Sequence, residues 1–124
     1  MSDFTARRNI NRGYMKLDVW KKSIQQLKLI HTLIDPKKSN FKMAVQILDS
    51  TQSVSSNIAE GYCRRHLNEY IQYCYIALES LGETLTRSMG FKEINVITDK
   101  NLKAIDALHY EVENTITPLF NVRN

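Results

Sequence analysis

Ser53-Val54-Ser55-Ser56-Asn57-Ile58-Ala59-Glu60-Gly61-Tyr62 is polar where a buried helix is ordinarily apolar, yet apolar runs flank it on both sides. Its small residues (Ser53, Ser55, Ser56, Ala59 and Gly61) let another backbone come close. Asn57 and Glu60 stand three apart, so on a helix they share one face. If buried, they must find partners, and backbone groups at a neighbouring helix end are the obvious ones. We therefore read Asn57 and Glu60 as ties between helix ends or subunits, with no chemical role. Gly61 loosens the helix near its end.

Working outward, this stretch closes a helix over 41–62 that Ser39 or Asn40 can cap. Its inner face is read as Phe41, Ala44, Val45 and Leu48, then Thr51, Gln52, Ser55, Ile58, Ala59 and Tyr62. A basic connection, Cys63-Arg64-Arg65-His66, leads into a third helix over 67–89. Tyr70, Ile71, Cys74, Ala77, Leu78, Leu81 and Leu85 form its stripe. Gly82 costs about 1 kcal/mol inside a helix relative to alanine, which a close crossing would explain. Gly90 is read as the stop, and 91–97 as a linker.

Upstream, Leu17, Trp20, Ile24, Leu27, His31 and Ile34 recur at steps of three and four, a bundle seam within a first helix over 14–34. His31 is read as a core-edge residue, because no second metal ligand has helical spacing to it. Asp35-Pro36 ends that helix. Downstream, Thr98 or Asp99 caps a fourth helix over 100–119, with Leu102, Ile105, Leu108, Val112, Ile116 and Leu119 on its core face. Four amphipathic helices with short connections imply an all-α fold, an antiparallel up-down four-helix bundle, as one domain over 14–120. Residues 1–13 lack periodicity. With Arg7, Arg8 and Arg12 they read as a flexible basic arm, either a frayed tail or a segment that touches phosphates.

The composition fits this fold. Hydrophobic residues make up 43% and charged residues 24% of the 124, with only four glycines and two prolines to punctuate the chain. Charge is uneven: residues 1–65 hold 12 Lys and Arg against 5 Asp and Glu, a balance of +7, and residues 66–124 hold 5 against 8, or −3. The basic half suits an anionic partner, or an acidic face within a bundle or oligomer. Cys63 and Cys74 show neither metal spacing nor a disulfide framework and fit the cytoplasm. The N-terminal residues lack the apolar run of a signal peptide. No apolar run approaches the roughly 20 residues that span a bilayer.

Enzyme signatures are missing. A di-iron bundle needs Glu-x-x-His on two helices, and none occurs. There is no Gly-rich phosphate loop and no nucleophile elbow. No cofactor or metal is expected, and the chain is read as non-enzymatic.

Leu17-Asp18-Val19-Trp20-Lys21-Lys22-Ser23 and Ser56-Asn57-Ile58-Ala59-Glu60-Gly61-Tyr62 resemble the four-helix-bundle proteins encoded in intervening sequences of bacterial 23S ribosomal RNA genes. The likeness continues through Arg64-Arg65, Glu69-Tyr70-Ile71, Tyr75-Ile76-Ala77-Leu78 and Ser80-Leu81. It makes Trp20, Ser56, Asn57, Glu60, Gly61 and Tyr70 the family's structural motif here. It implies a left-handed bundle that assembles into a homopentamer, for which RNA binding is the usual suggestion. The fold is shared with accessory proteins of diversity-generating retroelements. The chain departs from the family pattern at Leu48-Asp49, Ser55, Cys63, His66, Leu67, Asn68 and Gln72, and several of these departures remove positive charge.

Two functions follow. The first is an oligomer that binds ribosomal RNA or another nucleic acid through Arg7, Arg8, Arg12, Lys21, Lys22, Lys37, Lys38, Arg64 and Arg65. The second is a protein–protein adaptor on which the basic face is incidental.

Overall fold

The computed structural model describes residues 13–35 and 37–121, with side chains described as far as Ile116. A short 3-10 turn, Gly13–Lys16, precedes four helices: α1 (Asp18–Leu33), α2 (Phe41–Tyr62), α3 (Leu67–Glu93) and α4 (Asp99–Asn121). Of the expected basic arm, residues 1–12, with Arg7, Arg8 and Arg12, lie outside the described residues.

Local chemistry sets most boundaries. The Asn40 carboxamide oxygen accepts the Met43 N–H at 2.8 Å and caps α2. Thr98 Oγ1 accepts the Asn101 N–H at 3.0 Å and caps α4. Ile34 leaves α1 in an extended conformation. The end of α3 differs from expectation, because the helix passes through Gly90. Its stop is Asn95, at φ 64°, in the left-handed region that asparagine tolerates. The Asn95 N–H bonds the Lys92 carbonyl at 3.1 Å and the Val96 N–H bonds the Phe91 carbonyl at 2.8 Å. This is a Schellman closure, and Val96 and Phe91 add its customary apolar contact.

Each helix packs on its sequence neighbours, and α1 closes the square against α4. Two apolar clusters fill the interior. One holds Val19 of α1, Val54 and Ile58 of α2, Cys74, Ala77 and Leu81 of α3, and Val112 and Ile116 of α4. The other holds Ile30, Ile47, Phe91 and Ile105, joined by Val96 and Ile97 from the α3–α4 connection. Early α1 thus meets late α2, early α3 and late α4, which is the pattern of an antiparallel up-down bundle.

Between the clusters lies a polar tier to which every helix contributes: Ser23 and Gln26, Ser50 and Thr51, Thr84 and Ser88, and His109, all buried. Most hydroxyls bond a carbonyl one turn back in their own helix. Ser50 and Thr84 also bond each other at 3.0 Å. The Gln26 amide is fully buried and bonds no described protein group.

This tier explains a correction. The buried stripe of α1 is Val19, Ser23, Gln26 and Ile30, beside the expected seam. Leu17, Trp20, Ile24, Leu27 and Ile34 are half-buried, and His31 is exposed. On α2 the interior face is Ile47, Ser50, Thr51, Val54, Ser55, Ile58 and Gly61. Phe41, Val45, Gln52 and Tyr62, expected inside, are exposed. An apolar-stripe rule passes over buried serine, threonine and glutamine, so it selects the neighbouring face.

Two glycines reverse their expected roles. Gly82 is exposed, and a Cβ there would meet nothing within 4 Å, so no close crossing accounts for it. Gly82→Ala should therefore raise stability by about 0.5–1 kcal/mol through helix propensity alone, read as a higher urea midpoint at unchanged slope. Gly61 does not loosen α2. It is buried, and a Cβ there would lie 2.8 Å from Tyr73 Cβ, so it sets the closest approach of α2 to α3.

Candidate nucleic-acid interface

The α2–α3 connection, residues 63–66, lies at the end of the bundle where α1 begins. The opening 3-10 turn packs against α2 there. Gly13 lets it do so, because a side chain at that position would run into the Tyr62 hydroxyl and ring. Tyr14 meets Trp20 edge-on at 5.4 Å and Tyr62 at 6.5 Å between ring centres. Trp20 and Tyr70 are half-buried against the first apolar cluster. Aromatic packing thus fixes this end from several sides.

Arg64 is held in place. It donates to Glu60 Oε2 at 3.3 Å and to the Tyr73 hydroxyl at 2.7 Å, and its guanidinium carbon lies 5.0 Å from the Tyr73 ring centre. Tyr73, and then Glu60, push its pKa further up, so the guanidinium stays charged. Arg65 is exposed and has no ion pair among the described residues. Beside them, Leu17, Tyr62, Arg64, Arg65, His66, Leu67 and Tyr70 line an open cleft of about 390 Å³. Such a surface joins fixed positive charge to aromatic rings. It can contact phosphates, and it offers π-faces to unpaired bases.

The 23S rRNA-intervening sequence protein family matches residues 15–118, a span that includes every described element except the ends. The chain belongs to that family. Its fold is also that of a solved protein of unknown function from the S23 ribosomal protein family of Bacteroides thetaiotaomicron. That structure is 24% identical, with a TM-score of 0.71, over 82% of this chain and 96% of the other. None of the curated proteins is significantly similar in sequence.

In this family member the candidate cations do not form one patch. Arg64, Arg65, Lys21 and Lys22 share the α2–α3 end. Lys37 and Lys38 sit in the α1–α2 connection, at the far end of an α1 roughly 24 Å long. Lys16, in the opening turn, joins the first group. It was not among the residues singled out from the sequence, although it extends the same basic run. Tyr14, Tyr62 and Tyr73 were also missed as a group. Their spacing carries no signal: the opening turn brings Tyr14 to Tyr62 of α2, and Arg64 links Tyr73 of α3 to the same end.

Within one chain, the Asn57–Glu60 pair does not tie helix ends together. Asn57 is half-buried and donates to the Ser53 carbonyl at 2.7 Å and the Ser53 hydroxyl at 2.9 Å, both within α2. Glu60 is exposed and pairs with Arg64 one turn on. Ser56 is exposed and bonds the Ser53 carbonyl in its own helix. None reaches a neighbouring helix end. The ties across to α3 are Ser53 with Ser80 at 2.8 Å, Ser50 with Thr84, and Gln46 with Arg87 at 3.1 Å.

No helix among the described residues is long and apolar enough to cross a membrane. Among the same residues no group of His, Cys, Asp and Glu could hold a metal ion.

Proposed function

We propose that this chain is a non-enzymatic, self-assembling bundle of the cytoplasm that binds RNA through its α2–α3 end. One observation carries this reading: most described cations of the first half have no carboxylate partner among the described residues. Among described residues 13–65, only Arg64 is in an ion pair. In the second half, Arg87, Lys92 and Lys103 each have a carboxylate partner. Unpaired cations beside exposed rings suit a flexible polyanion with accessible bases. The family resemblance supports a pentameric ring, in which each weak patch is repeated and avidity rises without new contacts.

The test is affinity for a ribosomal RNA fragment across a salt series. Wild-type affinity should fall steeply as salt rises. In the Arg64→Ala/Arg65→Ala double variant, binding should weaken and the log–log slope should flatten by about 1.4, from two lost phosphate contacts at about 0.7 each. Unchanged affinity and slope would remove these arginines from the interface. RNA that fails to bind wild type even at low salt would remove the reading itself.

A further inference from the structure

Two apolar patches remain open at the surface of a single chain. The first lies where α1 gives way to α2. Phe41 is 84% exposed, and with His31, Ile34, Ser39, Ala44 and Leu48 it lines a groove of about 390 Å³ with mostly apolar walls. The same end carries Lys37, Lys38 and Lys42, all exposed and without an ion pair among the described residues. The second patch is a knob on α3, where Tyr75 is 50% and Ile76 36% exposed. Its neighbours along the helix, Glu69 and Glu79, are exposed and likewise have no ion pair among the described residues. An apolar hollow with positive charge and an apolar knob with negative charge are complementary in shape class and in sign.

Direction decides how they can meet. Phe41 lies nine residues from Ser50, about 180° round α2, and Ser50 faces Thr84 of α3. Phe41 therefore points away from α3. Tyr75 lies nine residues from Thr84, again about 180° round its helix, so it points away from α2. One chain cannot bring its own patches together, and a two-fold pair cannot satisfy both. A head-to-tail contact, repeated by rotation, satisfies both.

We infer that the α1–α2 groove is the socket for the Tyr75–Ile76 knob of a second copy of this chain. This rests on the self-assembly in the function proposed above and names its contact. It also accounts for Phe41, whose ring the single-chain core leaves exposed.

Sedimentation of three proteins and one mixture tests it. Wild type should sediment as a multimer. Phe41→Glu puts a charge in the socket and Ile76→Glu puts one on the knob; each variant alone should sediment as the 14.4 kDa single chain. Both positions are exposed, so helical circular dichroism should match wild type. An equimolar mixture retains one good socket and one good knob, and should form a dimer of twice that mass that grows no further. Either variant assembling like wild type would overturn the contact while leaving self-assembly in place, and so would a mixture that stays single-chain. A wild-type protein that stays single-chain at all concentrations would overturn self-assembly and the contact with it.

Discussion

Phe91→Ala should cost the bundle about 3–5 kcal/mol, a large part of the 5–15 kcal/mol typical of a domain. Phe91 is the largest fully buried side chain described, at 2% exposure. It packs with Ile30, Ile47, Val96, Ile97 and Ile105, so truncation opens a cavity touched by all four helices and the α3–α4 connection. It would also remove the apolar contact that accompanies the Schellman closure at Asn95. The measurement is urea unfolding at fixed chain concentration, since the proposed assembly would make apparent stability concentration-dependent. The midpoint should fall at unchanged slope. A loss below 1 kcal/mol would mean that this end of the core does not depend on the ring.

Gly61→Val should cost about 2–3 kcal/mol. A Cβ at Gly61 would stand 2.8 Å from Tyr73 Cβ and 3.4 Å from the Tyr70 carbonyl oxygen. Neither atom is the free end of a flexible side chain, so α2 and α3 must move apart. Overpacking of this kind costs about 1–3 kcal/mol, and valine's stiff χ1 limits the gain in helix propensity. The displacement falls next to Arg64 and its bond to Tyr73. Weaker RNA binding should accompany the lower urea midpoint. Gly82→Ala is the control, because it adds a methyl group to open space on the next helix. If both glycine variants gained stability alike, the close approach at Gly61 would be refuted.

The helix count, the α2 and α4 caps and the core face of α4 as far as Ile116 were legible in the sequence, while Leu119 lies outside the described side chains. On α4, Ile105, Val112 and Ile116 recur at helical spacing, and few apolar residues compete on other faces. The α1 and α2 faces were harder to read. There the interior takes Gln26 and also Ser23, Ser50 and Thr51, whose hydroxyls bond carbonyls of their own helix. A polar residue that brings its own hydrogen-bond partner is hidden from a hydrophobicity count. Gly90 resembles a stop and so puts Phe91 in a linker, whereas the left-handed residue that ends the helix is Asn95. In the candidate interface, Arg64 and Arg65 were legible as an adjacent basic pair. The tie from Arg64 to Tyr73 depends on the closeness that Gly61 permits between α2 and α3, which no local pattern reports.

The polar tier has one more consequence. It divides the interior, so each end of the molecule carries its own apolar reserve and can open without emptying the other. Backbone amides in the first turns of α2 are guarded by the Phe91 cluster, and those in its last turns by the Val54 cluster. One continuous helix should thus span two units of protection against solvent exchange, with the knob-accepting groove at one of them and the arginine pair at the other.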